Sequence, residues 1–180
     1  MRRIIPVLAL FLALSLGLTA PLHAASQESA KPAPARADTP RPLGTFGDWI
    51  AATHHEADQT VCYAFTRARS SSSKIPGRGD IVLSVTERPS GRDAVALSAG
   101  FAYPANAEAR LQVEKASFAL YTAQHSAFAR DGHAVVAALL KGHEVAIHSP
   151  APRHLQVTDQ FSLRGFAAAY AAINKACPAK

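Results

Sequence analysis

The chain of 180 residues is poor in the groups on which most recognisable chemistry rests: it has two cysteines, one tryptophan and one methionine. No C-x-x-C pair is present, which argues against dithiol redox chemistry. No glycine-rich phosphate loop follows a strand and opens a helix. Lysines and arginines do not cluster between aromatic residues, so the electrostatic footprint of a nucleic-acid binder is missing. Beyond Ala20 no apolar run is long enough to cross a membrane. No internal repeat divides the chain, and no Ser/His/Asp set or carboxylate pair is marked out by its spacing. The net charge of +6 is modest and scattered. It favours weak attraction to anionic surfaces rather than a specific polyanion.

The first residues, "MRRIIPVLALFLALSLGLTAPLHAAS", give an address. Arg2 and Arg3 form a positive start, Ile4 to Ala20 is an uncharged apolar run, and small residues follow Pro21. This is the pattern of a secretory signal, with cleavage expected after Ala24 or Ala25. Residues 1–25 are therefore read as a signal peptide and the protein as periplasmic or secreted, with no membrane span after cleavage. The next stretch, 26–42, is rich in proline, alanine and charge. It cannot bury enough apolar surface to offset its ordering entropy, so it reads as a disordered linker. Residues 43–180 are the size of a single domain.

Within that domain the hydrophobic period is mostly two. Ile81, Leu83 and Val85 share one face; Val95, Leu97, Phe101 and Tyr103 share another. Further strand-like runs are "DWIAATHH", "TVCYAFTRAR", "RLQVEKASFALYT", "HEVAIH" and "LQVTDQFSL". Short strands with turn signals between them predict a mainly β fold, an antiparallel β-sandwich or partly closed barrel. Two stretches break the period. A short helix is expected near 132–141, with Asp131 as N-cap and Gly142 as stop. A C-terminal helix is expected near 163–176, capped by Ser162 and ended by the approach of Pro178.

That last helix places the cysteines. Phe166, Tyr170 and Ile173 form an apolar stripe, and its phase carries Cys177 onto the same side. On the strand "TVCYAF", Val61, Tyr63 and Phe65 are expected to face the core. Cys62 and Ala64 are small and face the other way, suited to an alanine-rich helix. In an oxidising compartment a Cys62–Cys177 disulfide follows. It closes a loop for which chain entropy gives at most ~4–5 kcal/mol.

With these elements placed, the sequence resembles the invasion-associated locus B family of exported bacterial proteins. The resemblance rests on "FGDW" (46–49), "CYAF" (62–65), "RGDIVLSVTERP" (78–89) and "DQFSLRGFAAAYAAINKACP" (159–178). It implies a small β-rich periplasmic or secreted domain of a Gram-negative bacterium, and some members are linked to host-cell invasion. It brings no catalytic residues. Many relatives have a cysteine where this chain has Thr53, and a second mid-chain cysteine pair is absent here.

Other motifs have ordinary readings. Arg78, Gly79 and Asp80 spell Arg-Gly-Asp and form a candidate interaction loop, set against a plain turn into the next strand. "SSSK" (71–74) matches an acyl-enzyme motif that needs a helix, which Pro76 and Gly77 deny it. His143 and His148 are spaced wrongly for a metalloprotease and, on a strand, face opposite ways; His54 and His55 diverge likewise. Trp49 reads as core. The reading is thus an exported, non-enzymatic β domain, with no cofactor, that binds or supports an unidentified partner in the envelope or at a host surface. The alternative is a periplasmic metal-binding protein using converging surface histidines.

Overall fold

A computed structural model describes residues 39–179. The expected signal segment and residues 26–38 of the expected linker lie outside them. The elements run β1 (Arg41–Phe46), β2 (Trp49–Glu56), β3 (Gln59–Arg67), β4 (Ser70–Ser71), β5 (Val82–Arg88), β6 (Gly91–Ser98), β7 (Glu108–Val113), β8 (Ala116–Ala123), β9 (Ser126–Ala129), α1 (Gly132–Leu139), β10 (Glu144–Ala151), β11 (Leu155–Ser162) and α2 (Phe166–Ala176). Arg41 and Pro42, expected in the linker, belong to β1, where they pair with Thr53 and Ala52. Backbone pairing holds them, and pairing needs no apolar side chain.

All strands join one antiparallel sheet in the order β1-β2-β3-β5-β6-β9-β8-β7-β10-β11-β4. The sheet is not closed, but it curls strongly. β4, at one edge, continues the chain of β3 from the other half, and Arg69 N–H donates to the Gln160 carbonyl at 2.8 Å. The run "RLQVEKASFALYT" is two strands, β7 and β8, turning at Glu114, which takes a positive φ of 49°.

The concave side holds the core, and α2 lies against it. Leu83, Leu97, Leu111, Leu120, Ile147 and Phe161 share one buried cluster with Phe166, Ala169 and Ile173 of the helix. This reverses one expectation. Cys62 and Ala64 are fully buried in the core, whereas Tyr63 and Phe65 are only half-buried and stack on each other outside, with centroids 6.0 Å apart. The helix is itself part of the core, so the face with small residues is the inner one. Large side chains there would hold the helix off the sheet.

Two separate stretches of sequence form one clasp. Gly47 and Gly165 have φ of 56° and 92°, and each lacks room for a side chain because the other segment's backbone lies against it. Asp48 N–H donates to the Arg164 carbonyl at 3.0 Å. Trp49, fully buried, donates from Nε1 to the Ser162 carbonyl at 2.9 Å, and its ring centroid lies 4.7 Å from that of Phe166. The "FGDW" turn thus fixes the entry of α2. Regular helix begins at Phe166 rather than at 163, because Gly165 in the left-handed region is the N-cap and Ser162 remains in β11. Asp131 caps α1 as expected, accepting from Ala134 N–H at 2.9 Å.

Candidate functional site

Under the end of α2, Cys62 and Cys177 are joined, with sulfurs 2.16 Å and Cα atoms 6.0 Å apart. Directly across the ladder from Cys62 stands Glu87, which is fully buried. Its Oε2 accepts from Arg92 Nε at 2.8 Å and from Asp93 N–H at 3.2 Å. Its Oε1 has no partner among the described residues. Asp93 is well served: Tyr170 donates to Oδ1 at 2.5 Å, and His133 Nδ1 lies 2.9 Å from Oδ2. Arg92 also donates to the Cys177 carbonyl at 2.6 Å and to Asn174 Oδ1. A cation there complements the negative end of the helix dipole.

Burial pushes the Glu87 carboxyl up to about 7, and its contact with the Asp93 side chain adds to this. Burial also works against the Asp93 charge, but hydrogen bonds from Tyr170 and His133 outweigh it and hold that carboxyl below its ordinary value. The two acids divide one proton, and it resides on Glu87. Burial and the neighbouring Asp93 push the Tyr170 hydroxyl up to about 12, so it stays a donor. The cluster locks two helices to the β5–β6 turn.

A second buried centre explains the Arg-Gly-Asp tripeptide. The Arg78 side chain is 6% exposed. It donates to Asp159 Oδ1 and Oδ2 at 3.0 and 2.7 Å, to Ser71 Oγ at 2.9 Å and to the Ala99 carbonyl at 2.8 Å. Its guanidinium lies over the Phe101 ring, 4.9 Å from the centroid. Asp80 faces solvent and pairs with Arg67 at 2.5 Å. Gly79 N–H donates to the Gly100 carbonyl at 2.9 Å. The candidate interaction loop therefore has its arginine engaged inside the fold, while Asp80 faces solvent.

Beside Arg78 the surface opens. One cavity of about 470 Å³ is lined by Lys74, Ile75, Phe101, His125, Arg153 and Leu155 among others. Another of about 520 Å³ continues past Tyr103, Pro104, Pro150 and His154. Pro152, Arg153 and Leu155 line both, so the two meet at the β10–β11 turn. Arg153 and His154 there both hold positive φ, 61° and 59°. No Asp or Glu among the described residues lines either cavity.

The histidines do not converge. His143 and His148 line one polar trough, contrary to the expectation of opposite faces, because His143 precedes β10 and is outside the strand alternation. His148 is engaged with Thr158 Oγ1 at 2.9 Å and His54 with Glu56 at 3.0 Å. Among the described residues no three His, Cys, Asp or Glu groups are placed to hold a metal ion. The metal-binding alternative lacks its geometric basis there.

Residues 49–174 match the family model of the invasion associated locus B protein. The chain belongs to that family. It is also similar in fold to the crystal structure of invasion associated protein b from Bartonella henselae, at 19% identity and a TM-score of 0.53. The likeness covers 74% of this chain and 95% of that one. No curated protein matches the sequence.

In this locus B domain the stretches that carried the resemblance are mainly structural. "FGDW" and "SLRGF" form the clasp, "CYAF" supplies the disulfide, and Arg78 supplies the buried pair. Thr53 stands directly across from Cys62. Sequence reasoning missed Glu87 and Asp159, although a signal existed. Each stands in phase with apolar residues of an inward face, Glu87 after Leu83 and Val85, and Asp159 between Val157 and Phe161.

Proposed function

We propose that this locus B domain is an exported, non-enzymatic binding module acting in the cell envelope or at a host surface. The observation that carries the reading is the groove formed by the two adjoining cavities at the β10–β11 turn. Apolar side chains and exposed cations line it, and no carboxylate among the described residues does. By contrast, the buried acids Glu87 and Asp93 are bound up between α1, α2 and the β5–β6 turn. A pocket with a few polar groups set around apolar walls is the usual form of a ligand site. Export is supported by the signal pattern and by the one cysteine pair, which is joined as expected of an oxidising compartment.

Immobilised oxidised protein, challenged with envelope extract, tests the reading. Retention of a lipid, glycan or protein is expected, and it should fall when groove residues are substituted. Failure to retain any component, or retention indifferent to the groove, overturns it. Fractionation of cells carrying the full chain tests location: a cytosolic protein with thiols that alkylate in full would end the export reading.

A further inference from the structure

We infer that the groove takes a monomeric anionic amphiphile, a single acyl chain ending in a phosphate or carboxylate; this rests on the binding reading above. Charge decides the head. Lys74 and Arg153 are exposed, line the cavities and make no ion pair among the described residues. Arg78, the other arginine at the wall, is already matched by Asp159. With His125 and His154 also on the rim, the field at the mouth is positive at every pH where the histidines are protonated and remains so when they are neutral. Low-dielectric walls focus such a field onto an entering anion.

Shape and polarity decide the tail. The apolar lining includes Ile75, Phe101, Tyr103, Leu155 and prolines 104 and 150. Leu155 is 43% exposed although it belongs to β11, so apolar surface is left open to water at this point. The cavities, about 470 and 520 Å³, fall within the ~300–1,000 Å³ range of small-ligand sites. Pro104 and Pro150 carry no N–H. The Tyr103 hydroxyl is already engaged with Ser149 Oγ at 2.9 Å. An alkyl chain has no backbone amides to satisfy against the prolines and rings of this lining.

The test uses the purified oxidised protein and three detergents below their micellar concentrations: dodecyl phosphate, dodecyl maltoside and dodecyltrimethylammonium. Binding is followed by calorimetry and by NMR shifts at Leu155 and Tyr103. Saturable one-to-one binding of dodecyl phosphate is expected, with the neutral and cationic heads at least tenfold weaker and inorganic phosphate silent. Shortening the chain by two carbons should weaken binding about tenfold. The double variant Lys74→Glu/Arg153→Glu should lose at least tenfold in affinity with an unchanged melting temperature, since both side chains are exposed. Equal binding of all three heads, or binding of phosphate alone, overturns the inference. So does association with anionic phospholipid vesicles without uptake of monomer, which would assign the patch to a membrane surface. If dodecyl phosphate fails while the double variant still abolishes retention of an envelope component, the ligand class falls and the binding reading stands. If both fail, both fall.

Discussion

Asp159 and Glu87 are both fully buried carboxylates on strands of the same sheet, and the fold treats them in opposite ways. Asp159 receives both arms of the Arg78 guanidinium, which in turn reaches Ser71 and the Ala99 carbonyl. Glu87 receives its hydrogen bonds on Oε2, and Oε1 is left without a partner among the described residues. The first is a matched charge that ties β4 to β11 and the loop after β6. The second is an acid whose carboxyl burial pushes up to about 7. A disulfide stands beside Glu87, because Cys62 is its cross-strand neighbour; no covalent link reinforces Asp159. The lesson is that the β4 edge and the α2 end of the sheet are held by different physics. A desolvated ion pair works only when both members are present. A covalent bond tolerates an imperfect polar surrounding.

The sharpest way to break this contrast is Asp159→Ala. It leaves Arg78 buried, charged and without its carboxylate, a change that typically costs about 3–5 kcal/mol. The expected result is a fall in the urea midpoint of that order, with early hydrogen exchange in β4 and β11. A loss below ~1 kcal/mol would show that Arg78 escapes to solvent and that the pair does not hold the seam. Cys177→Ser should come next, at roughly 2–5 kcal/mol. Here the α2 end opens first, so the amides of Ile173 and of residue 177 should exchange before those of β11. Equal loosening of both regions in the two variants would erase the distinction between them.

The two centres also differ in how far they can be read in the sequence. The disulfide was legible because it needs only local rules: a helical stripe carrying Cys177 inward, and a compartment that oxidises a lone pair. The strands β2, β3, β5 and β10 were legible from alternation. The clasp was not, because Gly47 and Gly165 matter only where two distant backbones touch. Nor was the ion pair, whose members are 81 residues apart. Arg78 reads as part of a turn, and its depth depends on the curl that brings β4 against β11. The inner face of β3 was read backwards for a related reason. Side-chain size suggested the core on the side of Tyr63 and Phe65, but the core includes a helix that small residues must admit. The groove is formed by loops from three parts of the chain, and no periodic signal marks such a surface.

Glu87→Gln sharpens the comparison through pH. The Glu87 carboxyl is raised to about 7 in the native state, against 4.5 ordinarily, so between those values the folded protein binds the extra proton. Stability from this group is therefore full below ~4.5, falls as pH rises and is gone above ~7. Asp48 and Glu56 act in the other direction. Hydrogen bonds from Arg164 and Arg88 hold them at about 2, so their stabilisation is present above the usual carboxylate range and is lost as pH drops. The protein should be most stable on the acid side of neutrality. Replacing the Glu87 carboxyl by an amide, which cannot titrate, should remove most of the decline from pH 5 to 8, an effect of the order of 2 kcal/mol. The same melting series on Asp159→Asn should leave that slope in place. If Glu87→Gln leaves the slope unchanged, Glu87 is ionised throughout and the two carboxylates are alike.

The smallest effect belongs to the exposed counterpart of both centres. Arg67 and Asp80 are 62% and 74% exposed in their side chains, and a pair so placed is open to water and screened by salt. Exposed pairs contribute ~0–1 kcal/mol, so Asp80→Ala should move the urea midpoint by no more than that and less in high salt. It also separates charge on the surface from charge in the interior. An Arg-Gly-Asp ligand needs both ends free, and here Arg78 is held by four hydrogen bonds. Binding of the protein to host cells should therefore be the same with Asp80→Ala as without it. Loss of that binding would mean that Arg78 leaves Asp159 to meet a partner, and the matched buried charge would become the mobile one.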